Sequence, residues 1–235
     1  FNGSVGSGSG TGNGVTYISI GSGGTVLSDY PEFPQLDESI YTALLNSAAV
    51  VSGGNSSYAN YSYQFDGTDD YVTIGSSTDI NQGEFPQKTI EAWFKTNDKS
   101  LKQVIYQQGG GSRGLNLYIK DGKLYAGGWN RVEGNCSPGT WLLTSAISNN
   151  QWHHVVLTLN GGVTKSVGAF KLYLDGELKG TGEGSQLWNH NYAVIGKTRS
   201  KSRYDDGTTS SGFTFNGFID EVRLWNTERS LSEIV

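Results

Sequence analysis

From about residue 58 onward, apolar and polar residues alternate in short runs, each closed by Gly, Asp or Asn. Tyr61, Tyr63 and Phe65 alternate with Ser62 and Gln64, and Tyr71 to Ile74 follows an acidic turn. Further runs lie at 89–95, 103–107, 114–120, 123–127, 155–159, 170–174 and 192–196, before a closing stretch at 213–224. Period-two patterning over such lengths predicts strands. Asp121-Gly122 and Asn216-Gly217 predict tight hairpin turns. Ser230 followed by Glu233 is a capping box and predicts a short helical turn. No helical run long enough for a parallel crossover separates the strands. The expected fold is therefore all-β, a two-sheet antiparallel jelly-roll sandwich with short helical turns.

The first part of the chain reads differently. Residues 1–14 are a Gly/Ser tract, which by composition is a flexible linker. Two short β-like runs follow, within residues 15–27, with Pro31 and Pro34 beyond them. Residues 1–35 are expected to be a linker and N-terminal extension, and residues 36–235 the domain proper. Within the latter, Ile40, Leu44, Leu45 and Ala48 have helical spacing, which predicts a short helix over 36–51. In the closing stretch, alternation is expected to send one of Asp220 and Glu221 inward, where a carboxylate needs a cation or several donors.

Composition narrows the class. With 34 glycines and 4 prolines in 235 residues, the chain has the turn-forming balance of many short strands. A chain of this length buries a sizeable core without disulfides, and its one cysteine, Cys136, forms no internal bridge. A net charge of −5 argues against a general nucleic-acid surface. No apolar run approaches the length of a membrane-spanning helix, so no direct membrane insertion is expected. Phe1 in place of an initiator methionine suggests a processed or excised portion of a longer chain.

Four stretches occur together in one order: FDGTDDYV at 65–72, TIEAWF at 89–94, WHHVV at 152–156 with KLYLDG at 171–176, and FNGFIDEVRLWN at 215–226. In this combination the chain resembles the laminin-G-like, concanavalin-A-like jelly-roll lectin domains. The resemblance implies the same sandwich, with Trp93 and Trp152 at core positions. It also implies an extracellular setting, secreted or attached to a cell surface, such as a bacterial surface or pilus adhesin. Many relatives hold a structural Ca²⁺ between the opening and closing motifs. Carried onto this chain, the ligands are Asp66, Asp70 and Asp220, hard oxygen donors of the kind Ca²⁺ prefers. The plainer reading of the Asp66 and Asp70 segment is an ordinary turn.

Two further features bear on binding. Lys197, Arg199, Lys201 and Arg203 alternate with small hydroxyl residues, so an extended chain would present all four cations on one side. With Tyr204 they form a positive stripe suited to carboxylate, sulfate or sialic acid. An edge strand that uses lysine against aggregation is the plainer alternative. Trp129, Trp141 and Trp188 fall beside loops, where an indole face can stack on a sugar ring. Asn130 and Arg131, next to Trp129, would bond its hydroxyls. Catalysis finds no support: no E-x-D-x-(x)-E strand motif, G-x-S-x-G or H-E-x-x-H is present. The expectation is a non-catalytic, lectin-like adhesion module binding glycans on host cells or matrix. Alternatives are a protein-binding or spacer module, or a carbohydrate-binding appendage of a secreted glycoside hydrolase.

Overall fold

The computed structural model describes residues 6–7, 18–19, 45–46, 49–53, 60–130 and 136–234, with side-chain surroundings for 62–130 and 139–234. Two seven-stranded antiparallel sheets face each other. The first contains β3 (Leu45–Asn46), β6 (Tyr71–Ile74), β8 (Gln103–Gly109), β9 (Arg113–Lys120), β10 (Lys123–Asn130), β11 (Cys136–Ala146) and β15 (Ala193–Ile195). Its order is β11-β10-β9-β8-β15-β6-β3. The second contains β4 (Ala49–Gly53), β5 (Asn60–Asp66), β7 (Gln87–Thr96), β12 (His153–Asn160), β13 (Ser166–Leu174), β14 (Glu177–Gly184) and β18 (Asn216–Trp225). Its order is β14-β13-β12-β7-β18-β5-β4. Two small pairs complete the described strands: β1 (Gly6–Ser7) with β2 (Ile18–Ser19), and β16 (Thr198–Arg203) with β17 (Thr209–Gly212). The helical turn α1 (Leu231–Ile234) closes the chain.

The core lies where the two inner faces meet. On β7, Ile90, Ala92 and Phe94 point in; on β12, Val155, Leu157 and Leu159; on β9, Leu115, Leu117 and Ile119. Intervening residues such as Glu91, His154 and Tyr118 face outward, as a pleated strand requires. The expected jelly-roll sandwich is the observed fold.

Three local expectations change. The helix expected over 36–51 is not formed in its described part: Leu45 and Asn46 pair with β6, and Ala49 to Val51 pair with β5. Residues 36–44 lie outside the described residues. Pairing at the sheet edges overrides the helical spacing there, because an extended segment satisfies neighbours' open backbone groups. Asn216-Gly217 is not a turn but the start of β18. Gly217 has φ of 143°, and a Cβ there would stand 2.1 Å from the Lys95 carbonyl oxygen, so only glycine lets β7 approach. Neither carboxylate of β18 turns inward. The ladder with β7 slips between Asp220 and Arg223, and Glu221 has φ of +47°. This is a β-bulge: it absorbs one residue, keeps Val222 and Leu224 in the core, and turns Arg223 to the outer face opposite Glu91.

The expected helical turn forms with one half of the capping box, the Ser230 hydroxyl bonding the Glu233 carboxylate rather than the Glu233 N–H. The Ser230 N–H donates to Glu233 Oε2 at 2.7 Å, and the Glu233 N–H donates to the Ser230 carbonyl at 3.0 Å. Ile234 then packs with Val156 and Tyr173 on the outer face of the second sheet.

Candidate functional site

The two outer faces differ. On the first sheet, β16 and β17 form a hairpin laid across β8 and β9. Asn116 Nδ2 donates to Ser202 Oγ at 2.9 Å and to the Arg203 carbonyl at 2.8 Å. Tyr118 donates its hydroxyl to Asp205 at 2.7 Å, and Lys120 pairs with the same carboxylate at 2.9 Å. Under the hairpin, Lys102 Nζ lies 3.6 Å from the Tyr204 ring centroid and 4.7 Å from that of Phe213. Burial pushes the Tyr204 hydroxyl up to about 12, against hydrogen bonds that favour its ionised form.

This arrangement divides the expected ligand residues. Trp129 is only 2% exposed; its indole N–H donates to the Gly110 carbonyl at 2.8 Å, and its ring stacks along Trp141. It is a packing residue and offers no free face to a sugar. Asn130 is buried, and Arg131 lies outside the described residues. Tyr204 is fully buried, with its hydroxyl 2.5 Å from Thr198 Oγ1. The cationic stripe is broken as well. The β16–β17 register shifts between Thr198 and Ser202, and Arg203 is buried while Arg199 and Lys201 are exposed. Arg199 lies over the Tyr192 ring at 4.5 Å and Lys197 over Tyr71 at 4.6 Å. Asp205 turns to Lys120 and Tyr118, and Asp206 accepts from Thr208, so neither neutralises the exposed cations.

The acidic cluster is compact but differs from the expected set. Carboxylate oxygens of Asp66, Asp69 and Asp70 lie within 4.8 Å of one another. Asp66 Oδ1 accepts the Thr68 N–H at 2.7 Å, and Asp70 Oδ2 accepts the Asp66 N–H at 3.1 Å. Asp66 pairs with Asn216 across the ladder, which places Asp220 four residues further along β18, roughly 13 Å away at strand rise. Asp220 therefore cannot share an ion with Asp66. The three turn aspartates are hard donors of the right kind and spacing for Ca²⁺, with oxygens left over after their own turn bonds.

On the second sheet's outer face, the tryptophans expected in the core are at the surface: Trp93 is 40% exposed and Trp152 39%. Strand alternation explains it, since the inward neighbours Ala92 and Phe94 take the core positions beside Trp93. Glu91 beside it is buried, and Arg223 Nη1 donates to its Oε1 at 2.9 Å. Arg223 also holds Glu221. Burial works against the Arg223 charge, but its bonds to Glu91 and Glu221 leave the guanidinium held above its ordinary value. His154 Nε2 stands 3.6 Å from Glu91 Oε2. His153, facing the other way, takes the Ser148 N–H on Nε2 and donates from Nδ1 to Asp175 at 2.8 Å. The two histidines thus form no metal pair, as alternation on a strand implies.

Two facing antiparallel sheets of this strand order form a jelly-roll sandwich. The chain belongs to the concanavalin A-like lectin/glucanases superfamily: its Laminin_G_3 family matches residues 66–235. No curated protein matches the chain. Among solved structures it is similar to the SAP-like pentraxin from Limulus polyphemus, at 17% identity, TM-score 0.51, covering 73% of this chain and 78% of that one. It is similar to domain 4 of AbnA, an extracellular arabinanase from Geobacillus stearothermophilus solved in complex with arabinotriose, at 15% identity and TM-score 0.54, covering 80% of each. It is also similar to the binding domain of Paraclostridial Mosquitocidal Protein 1, at 16% identity and TM-score 0.58, covering 97% of this chain and 49% of that one. At these identities the likeness carries the fold alone. Among the described residues, no helix is long and apolar enough to cross a membrane.

Proposed function

We propose that this domain is an extracellular, non-catalytic glycan-binding module with a lectin-like adhesive role, and that acidic glycans dock along the β16–β17 hairpin. One observation carries the reading. Lys197, Arg199 and Lys201 have no carboxylate within ion-pair distance among the described residues, although the chain as a whole carries a net charge of −5. Uncompensated cations beside the half-exposed rings of Tyr71 and Tyr192 offer charge and a stacking edge to sulfated or sialylated sugars. Arg199 and Lys201 are the binding residues in this reading. Arg203 and Tyr204 are buried within and beneath the hairpin, and Trp129 and Asn130 are buried packing residues of β10.

The test is a glycan array of the purified chain with calcium and with chelator, repeated with Arg199→Ala and Lys201→Ala. Binding to anionic glycans that both variants weaken supports the assignment; unchanged binding in the double variant removes it. Asp66, Asp69 and Asp70 are the residues that would hold Ca²⁺. Its contribution would be to fix the turn before β6. A rise in melting temperature with calcium, lost in Asp69→Asn, supports this site; an unchanged melting temperature in chelator refutes it. A second reading, an appendage of a secreted glycan hydrolase, is favoured by the likeness to domain 4 of AbnA. Retention on insoluble arabinan rather than on array glycans would favour it.

A further inference from the structure

The second sheet carries a cleft that the hairpin reading does not use. It has a volume of about 390 Å³, within the range of small-ligand sites. Its floor is the outer face of β7, β12 and β18: Glu91, Trp93, His154 and Arg223. Its walls are the β13–β14 turn at Asp175 and Gly176, and the closing segment with Arg229, Glu233 and Ile234.

Three observations converge there. The His154 imidazole stacks on Trp93 at 4.9 Å and 19°, covering one face of the indole. Trp93 nonetheless remains 40% exposed and lines the cleft, so apolar indole surface is open to a ligand there. Second, two buried nitrogens at this cleft, His154 Nε2 and Arg229 Nε, have no hydrogen-bond partner. Buried donors and acceptors are nearly always paired, and leaving one unpaired costs about 1–3 kcal/mol. Third, the charges nearly balance. Glu91, Asp175 and Glu233 face Arg223 and Arg229, so the fixed charges nearly cancel with one carboxylate in excess, which disfavours an anionic ligand. Planar carboxylate and guanidinium groups around an exposed indole suit a ligand with an apolar face and a rim of hydroxyls.

We infer that this cleft is a second binding site, for a neutral saccharide that stacks on Trp93. Its hydroxyls meet Arg229, Asp175 and Glu233 at the walls. Glu91 and Arg223 fix the floor, and His154 backs the indole. This site is independent of the hairpin reading, which concerns anionic ligands on the opposite sheet.

The test titrates the whole chain with a panel of neutral sugars: arabinotriose, galactose, glucose, mannose and N-acetylglucosamine, each to millimolar concentration. The three histidine ring signals are followed by NMR. The expected result is a saturable shift of the His154 resonances by at least one panel member. Trp93→Ala weakens that binding by about tenfold or more, and Trp93→Phe, which keeps a ring, by less. Melting temperatures and near-ultraviolet dichroism check that the variants fold. If no panel member shifts His154, or if a sugar binds equally well to folded Trp93→Ala, the inference falls. Neither result touches the hairpin reading, whose probes are sulfated and sialylated glycans.

Discussion

The two sheets use the same residue type in opposite ways. On the first sheet, Trp129 and Trp141 stack beneath the level of the hairpin, and Trp129 is sealed. On the second, Trp93 and Trp152 stand at the surface, with Lys95 between the Trp152 and Phe218 rings. The difference does not come from the strands themselves, since all four positions face away from the core. It comes from what lies above them. The chain returns after β15 as a hairpin that roofs the first sheet. Over the part of the second sheet that carries Trp93, only the short closing segment and α1 stand nearby, so a cleft remains. An outward tryptophan is thus sealed on one side and a floor on the other.

The largest expected break in this comparison is Trp129→Ala. Removing a sealed indole costs about 3–5 kcal/mol, whereas Trp93→Ala, losing a partly exposed ring, costs about 1–2 kcal/mol. Urea unfolding of the two variants measures both. Equal losses would mean that Trp141 and the β8–β9 turn do not seal Trp129 in solution. Next comes Arg223→Ala. Breaking a buried pair costs about 3–5 kcal/mol, and because Arg223 is itself one-third exposed, about 2–3 kcal/mol is expected here. Glu91→Gln, which keeps the shape and drops the charge, costs less. A double-mutant cycle on Glu91 and Arg223 isolates their coupling.

Much of this sandwich was legible in the sequence. Alternation located the strands from β5 to β10, β12, β13 and β15, and the Ser230–Glu233 capping box located α1. Whole faces of the site were not. Period two states that Glu91 and Trp93 share a side of β7, but not whether that side is roofed. The β-bulge at Glu221 has no sequence signal in a residue that ordinarily avoids positive φ, yet it decides that Arg223 meets Glu91. β11, β14 and the β16–β17 hairpin were missed because their sequences, such as ELKGTGEG, are polar and glycine-rich and show little apolar alternation. The stripe 197–203 was read as regular, and the register shift within β16 moved Arg203 out of line. Asp220 was joined to Asp66 through motif order, and ladder register separates them.

A third break concerns pH, and it lies at the edge shared by both sheets. Lys88 is 1% exposed, bonded to the Ile80 carbonyl at 3.0 Å and Asn226 at 3.2 Å, and burial lowers its ammonium to about 7, partly offset by Asp79. Burial likewise lowers His190 to about 4, against its bond to the Trp188 carbonyl. Both folded values lie below the unfolded ones, so the unfolded chain binds more protons in each window. Stability therefore rises with pH from about 4 to 6.5 through His190, and again from about 7 to 10.5 through Lys88. The slope for one proton is at most about 1.4 kcal/mol per pH unit. Denaturant midpoints across this range check it, and Lys88→Met should flatten the upper window alone. A profile that falls from pH 7 to 9, below the range where the raised hydroxyls of the buried Tyr106, Tyr118 and Tyr204 act in the opposite sense, would contradict the burial of Lys88.

The smallest effect tests the roof itself. Lys102 lies under the hairpin against the rings of Tyr204, Phe213 and Tyr118, with Tyr204 edge-on to both of the others. Burial lowers its ammonium, and Asp206 and Asp205, in the turn that joins β16 to β17, partly offset this. A cation over aromatic rings in a partly desolvated place contributes about 1 kcal/mol. Lys102→Met keeps the stem and removes the charge. It should lower global stability by about that amount, because the hairpin is one part of a large core. Its sharper signature is local: amide exchange should quicken in β16 and β17 while β7 and β12 keep their protection. Uniform quickening over both sheets would mean that the hairpin is not a separable roof. Unchanged exchange would mean that Asn116 and Asp205 hold it without the lysine.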